Sequence, residues 1–321
     1  MWKLIIRRCL IMIPQLFAIS IIIFAMAKAM PGDVLSSSMG SSDTDYQTIL
    51  EKREELGIND PVHVQYMNWI KNAAKGDLGV SYTHKLPVTE VIADRIWNTI
   101  VLAFFTVVIT YMIAVPLGVI SGRWNDTVID KAILGYNYLG FATPTFIFGL
   151  IMLFLFGFYF DLMPTGGTVN PLLETGSFEY YLSKAYHMIL PALSYALIST
   201  VSISQYLRSE ILDTKVKDYV RTARAKGVTE SKLYSRHILR NSFLPIAAFM
   251  GYEFTGLIAG NIIIESIYSY PGMGSLFLQS ISLRDYSVVT AIILLGSFAT
   301  LLGTLLSDII VSIVDPRVRI E

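Results

Sequence analysis

The 321-residue sequence has one cysteine, Cys9, and four scattered histidines. A single thiol closes no disulfide within the chain, and His63, His84, His187 and His237 stand at no metal-ligand spacing. A disulfide scaffold and a cysteine-based metal cluster are thereby excluded. Charge is also scarce: Asp, Glu, Lys and Arg make up 16% of residues, against about a quarter in soluble domains. The 25 basic and 25 acidic residues cancel, so no excess of positive charge points to nucleic acid. No Gly-Lys dipeptide occurs, which removes the Gly-x-x-x-x-Gly-Lys-Ser/Thr phosphate loop. There is also no His-Glu-x-x-His motif, no paired membrane aspartates and no convincing nucleophile motif, which argues against an intramembrane enzyme. No long-period repeat stands out.

Apolar residues are plentiful, at 53%. A bilayer core needs about 20 mostly apolar residues per helix. Six runs meet that length, at roughly 9–29, 98–121, 133–158, 188–211, 244–265 and 287–313. Hydrocarbon offers backbone groups no partners, so these runs are expected to be helices, in an all-α membrane protein. Basic residues gather in alternate connections. Lys3, Arg7 and Arg8 precede the first run, Arg123 and Lys131 follow the second, and Arg317 and Arg319 close the chain. The loop 212–243 adds Lys215, Lys217, Arg221, Arg224, Lys226, Lys232, Arg236 and Arg240. By the positive-inside rule both termini and this loop are cytoplasmic. The expected division is a transmembrane helix at 1–30, a small extracytoplasmic cap at 31–95, a membrane core at 96–315 containing the cytoplasmic loop 213–243, and a cytoplasmic tail at 316–321. The cap includes a candidate amphipathic helix, HVQYMNWIKNAAK. A cleaved signal peptide is the alternative for the first run.

The loop is the most informative segment. Asp218 is placed to cap a short helix rich in alanine, and Gly227 to end it as a left-handed residue. Thr229 is placed to cap a second helix running to Asn241. Neither start has Glu or Gln at the capping-box position. Two short helices meeting at a bend make a knob for another protein, whereas charge alone would mark only a basic loop near anionic head groups.

The run Asp218-Tyr219-Val220-Arg221-Thr222-Ala223-Arg224-Ala225-Lys226-Gly227, followed by Arg236-His237, Arg240-Asn241 and Leu244-Pro245, resembles the conserved cytoplasmic loop of ABC importer permeases. The variant is that of the oligopeptide/dipeptide/nickel family, with Arg221-Thr222-Ala223 in place of Glu-Ala-Ala and a longer gap from Gly227 to Pro245. The resemblance extends along the chain: Met30-Pro31-Gly32-Asp33, Leu56-Gly57, Gly76-Asp77-Leu78-Gly79 with Ser81-Tyr82, Pro116-Leu117-Gly118, Met163-Pro164-Thr165-Gly166-Gly167, Glu265 with Tyr270-Pro271-Gly272-Met273-Gly274, Arg284-Asp285-Tyr286 and Asp315-Pro316-Arg317. It is similar to the oligopeptide B-type subunit.

The resemblance implies a type I, MetI-like permease of six transmembrane helices in a bacterial cytoplasmic membrane. It further implies a homologous second permease, two cytoplasmic ATPases that hold the ATP and Mg, and an extracytoplasmic peptide-binding protein. This chain would carry no cofactor of its own and contact only lipid and protein. Coupling to the ATPase would fall to Tyr219, Val220, Thr222 and Ala223 as docking residues, Asp218, Arg221 and Arg224 beside them, and Gly227 as the bend. Peptides are the expected cargo, with nickel chelates or glutathione as alternatives within the family.

Four residues are candidates for the translocation path. Glu253 lies deep in the fifth run, where an ionised acid facing lipid costs about 2.5–3.5 kcal/mol. It therefore either lines the passage as a counter-charge to a peptide ammonium or is a hydrogen-bonded packing residue. Pro144 is a pathway-facing kink or one tolerated for packing. Gln205 and Arg208 border the exit or sit at the interface, with Arg208 reaching the head groups. Gly256 and Gly260 form a Gly-x-x-x-Gly face suited to helix contact. A secondary transporter is the rival class, disfavoured by the lack of repeats and ionisable relays.

Overall fold

The computed structural model describes residues 2–29, 59–81, 83–246, 249–250, 253, 256 and 260–314. The expected features at Met30–Asp33, Leu56–Gly57, Tyr82 and 315–321 lie outside these residues. Among the described residues, helices α1 (Trp2–Ala29), α2 (Val62–Ala74), α3 (Val88–Arg123), α4 (Val128–Ala142), α5 (Thr145–Met152) and α6 (Phe178–Lys215) come first in chain order. They are followed by α7 (Asp218–Ala225), α8 (Glu230–Leu233), α9 (Leu239–Ser242), α10 (Ile262–Ile267), α11 (Met273–Ser282) and α12 (Tyr286–Val314). A two-residue hairpin, β1 (Val80–Ser81) with β2 (Leu86–Pro87), precedes α3.

Helices α1, α3, α6 and α12 are each long and apolar enough to cross a membrane. α3 and α6 each start ten residues before the expected spans because hydropathy stops at charges that a helix does not. α3 starts ten residues early, at Val88 behind the preset turn of Pro87, through Glu90, Asp94 and Arg95. It gains Val88, Val91 and Ile92, which pack on Met273, Leu276 and Val288. α6 starts at Phe178, where the Ser177 hydroxyl accepts from the Tyr180 N–H at 3.1 Å.

The third expected span is not one straight rod. α4 and the arm formed by α5 with its π-helical extension Leu153–Tyr159 meet at 104°. Pro144 lacks an N–H and forces Thr143 into extended backbone (φ −97°, ψ 115°), so the helix stops and restarts. The expected kink is a full break. The fifth span is helical at the described positions 244–246, 249–250, 253 and 256, then turns at Gly260 (φ +74°). Glu265 therefore sits on α10, beyond the turn, and not at the end of a continuous span.

The start of α1 and the end of α12 share one end of the bundle, joined by Arg8 and Asp308 at 2.7 Å. The amphipathic helix expected in the cap is present as α2. Tyr66 bonds to Ser20 at 2.8 Å, and its ring and that of Trp69 stack on Phe24.

The centre of the molecule is the α3–α6 pair. A Cβ added at Gly118 would lie 2.9 Å from the Leu207 Cβ and the Ser204 carbonyl, and one at Gly122 2.8 Å from the Ile211 Cβ. These glycines let the two backbones approach, which is how helices associate where lipid offers no hydrophobic drive. By contrast, Gly256 has no described atom within 4 Å of an added Cβ, and Gly260 is a turn residue packed on Glu265, Gly274 and Thr99, so among the described residues the two form no common helix-contact face. Gly118→Ala is expected to cost about 1–3 kcal/mol by overpacking. Thermal melting of the purified protein should show a clear drop for Gly118→Ala and none for Gly135→Ala, where a Cβ meets nothing.

Candidate functional site

The loop after α6 folds into the two-helix elbow. α7 closes in a Schellman motif: the Gly227 N–H donates to the Arg224 carbonyl at 3.0 Å, and the Val228 N–H to the Ala223 carbonyl at 3.2 Å. Gly227 holds φ +78°, the left-handed conformation expected of it. Asp218 does not cap the helix. Lys217 occupies the cap position, and Asp218 is the first helical residue, 3.8 Å from Arg221 on the exposed surface. Thr229 stands at the cap of α8 without a side-chain bond there. The second helix then runs through a π-turn, Tyr234–Ile238, into α9. Arg224 and Glu230 join the two arms at 2.8 Å.

Of the four expected docking residues, only two are on the outside. Val220 and Ala223 are buried in a cluster with Leu207, Ile211, Leu233 and Ile238, so they root α7 in its own bundle. Helical spacing explains this, because positions three apart share a face. The outward face holds Tyr219, Arg221, Thr222 and Arg224.

The elbow is also tied to the ends of both central helices. The Lys215 ammonium donates to the carbonyls of Gly122 (2.7 Å) and Arg123 (3.0 Å) and to Asn125 Oδ1 (2.7 Å). It thus satisfies the open C-terminus of α3. The Tyr234 hydroxyl reaches the Arg123 carbonyl at 3.3 Å, and the Arg123 guanidinium lies over the Tyr234 ring. Ser242 bonds back to the Glu210 carbonyl on α6 at 3.1 Å.

Arg208 is engaged in a buried ion pair. Its guanidinium grips Asp130 with two bonds of 2.8 Å, and the Asp130 carboxylate also accepts from Ser121 and, at 2.8 Å, from the Asp126 N–H. Gln205 is bound by the Asn137 amide at 3.1 Å, and Asn137 in turn accepts from Ser204 at 3.0 Å. These polar groups clamp α3, α4 and α6 together. The sequence reading missed Asp130, Asn137 and Ser121. The available signal was an acid three residues after Thr127, opposite an arginine in another apolar run.

Glu253 lines a cavity between α3, α6 and the segment leading to α10, with Thr106, Thr110 and Ser199 among its walls. Pro144 lies elsewhere, exposed at the α4–α5 break, so the four path candidates do not converge. Glu265 lines the same cavity and builds a knot there. It accepts from the Thr99 hydroxyl at 3.0 Å and from the Ser275 N–H at 2.9 Å, at the start of α11. Thr99 accepts from the Met273 N–H at 2.7 Å. A Cβ at Gly272 would be 2.5 Å from the Glu265 carboxyl carbon, so the Tyr270–Gly274 turn fits only glycine there.

Residues 114–320 match the family described as binding-protein-dependent transport system inner membrane component, and residues 1–103 its N-terminal counterpart. The chain belongs to that family. It is a permease of an ABC importer, a membrane subunit with no ATPase site of its own. It is 37% identical over 318 residues to the oligopeptide transport system permease protein AppB of Bacillus subtilis (strain 168), covering 98% of each chain. It is 31% identical over 319 residues to the glutathione transport system permease protein GsiC of Escherichia coli (strain K12), covering 99% of each. A chain of the MetNI methionine ABC transporter, in an inward-facing form, superposes with a TM-score of 0.55 at 13% identity, over 71% of this chain and 97% of that one. The fold of this permease is therefore the MetI-like, type I importer fold.

Asp130 is 1% exposed and the Arg208 side chain 15% exposed. Removing one member of such a buried pair leaves the other uncompensated, at about 3–5 kcal/mol. Arg208→Met and Asp130→Asn should each lower the yield and melting temperature of the permease. The double variant should recover part of the loss, and a double-mutant cycle on melting checks the coupling.

Proposed function

We propose that the permease forms half of a pathway importing oligopeptides, paired with a homologous second permease and driven through the elbow by ATPase subunits that hold ATP and Mg. An extracytoplasmic receptor delivers the cargo, and the termini and elbow face the cytoplasm. The cargo reading draws on the named oligopeptide permease at 37% identity. Glutathione, carried by the other named relative, is the second reading.

The single observation that carries the mechanical part is the rooting of α7. Val220 and Ala223 are held in the core while Tyr219, Arg221, Thr222 and Arg224 face outward. A force on the outer face then passes into α3 and α6 through the Lys215 and Tyr234 contacts. The exposed arginines suit an acidic or carbonyl-rich groove on the partner. Asp218 shields Arg221 only weakly, since both are exposed.

The two faces separate experimentally. Tyr219→Ala with Arg221→Glu is expected to weaken ATPase retention and cargo-stimulated ATP hydrolysis by about tenfold or more, as loss of an interface anchor does. The melting temperature of the permease should hold. Val220→Asp should instead melt the permease early, because it buries an unpaired charge. Normal hydrolysis and transport in the first variant would remove the outer face from the coupling role.

A further inference from the structure

The cavity beside Glu253 is not part of the elbow, and its polar groups are incompletely used. The Thr106 hydroxyl, on the cavity wall, donates to the Leu102 carbonyl at 2.8 Å, which leaves its oxygen able to accept. One turn on, Thr110 is 3% exposed and its hydroxyl is buried without any hydrogen-bond partner among the described residues. Glu253 is half-buried on the same cavity, and no described residue donates a hydrogen bond to its carboxylate. Ser199 adds another hydroxyl. An orphan hydroxyl and an unanswered acid are both costly in a bundle interior, so together they mark a place where a ligand completes the bonding.

The chemistry of the ligand follows from the lining. An anion is repelled by Glu253. A divalent metal is poorly served, since no group of three or more His, Cys, Asp or Glu occurs among the described residues. The free groups are mainly acceptors, and Leu102, Ala103 and Val107 supply apolar wall. That combination fits a cation with N–H donors on a short alkyl stem. We propose that this cavity is a recess for the primary ammonium group of the cargo, held by Glu253, Thr110 and Thr106 within a single permease subunit. This rests on the peptide reading above and names where the subunit touches its cargo. Glu265 also lines the cavity but offers the ammonium no free place, because its carboxylate is already bound to Thr99 and Ser275.

The test uses the assembled importer in proteoliposomes, with one peptide cargo. Methylammonium chloride is the probe. Tetramethylammonium chloride at equal concentration, charged but without N–H donors, is the control. At a concentration near its Kd the probe occupies half the sites, so wild-type uptake should fall about twofold relative to the control salt. Glu253→Gln should abolish that difference between salts. Thr110→Val, which keeps the charge and nearly the volume, should reduce it. Equal wild-type uptake in the two salts, or equal slowing of wild type and Glu253→Gln, overturns the proposal. Absence of peptide uptake in either salt overturns the cargo reading, and the recess with it, and is told apart by its indifference to the salt.

Discussion

Helices α3 and α6 approach so closely at Gly118 and Gly122 that an added methyl would sit under 3 Å from α6 atoms. In lipid this closeness is the source of association, through the dispersion attraction that small side chains permit between neighbouring backbones. Once the pair is fixed, other features follow from its ends. Its lower carbonyls need donors, which Lys215 and Tyr234 provide. Those two residues belong to the end of α6 and the second arm of the elbow, so satisfying the backbone also anchors the loop. The elbow is an extension of the central pair and not an appendage hung from it.

The same rule governs the opposite end. There the chain leaves the fifth span, turns at Gly260 and returns through α10 and α11. The N-terminal N–H groups of α11 would be open to a dry interior, and Glu265 and Thr99 answer them. Thr99 lies on α3, so this knot also hangs on the central pair. Asp285 repeats the device one step further out, where the Ser81 hydroxyl donates to it at 2.5 Å and ties the hairpin before α3 to the start of α12.

Much of this was legible in the sequence, for identifiable reasons. Long apolar runs disclosed the helices because length and hydropathy are local. Gly227 and the Ala-rich α7 were readable because a Schellman ending depends on a few neighbouring residues. What escaped depends on pairs distant in the chain. Nothing near Val220 says which side of α7 turns inward until Leu207, Ile211 and Leu233 are in place. Arg208 reads as an interfacial cation until Asp130, 78 positions away, is brought to 2.8 Å. Gly256 and Gly260 carried the packing signature, yet among the described residues the pair that seats one long helix on another is Gly118 and Gly122. The spacing is identical, and only the partner helix separates a contact from a cavity wall and a turn.

Partner geometry also bears on how the cavity and the elbow are linked mechanically. Thr106 and Thr110 lie on α3 and Ser199 on α6, while α7 is seated on Leu207 and Ile211, further along the same α6. At the lower of those levels the Asp130–Arg208 clamp adds α4, and glycine contacts remove the slack that flexible side chains would allow. Two helices so joined move more readily together than past one another, because sliding would drive Leu207 and Ile211 into backbone. A tilt imposed at the elbow therefore displaces the wall of the cavity directly. The hinge for such a tilt has to lie where the helical bonding is already interrupted. Thr143–Pro144 and Gly260–Asn261 are full breaks of this kind, and Pro116 in α3 and Pro191 in α6 each remove one helical bond.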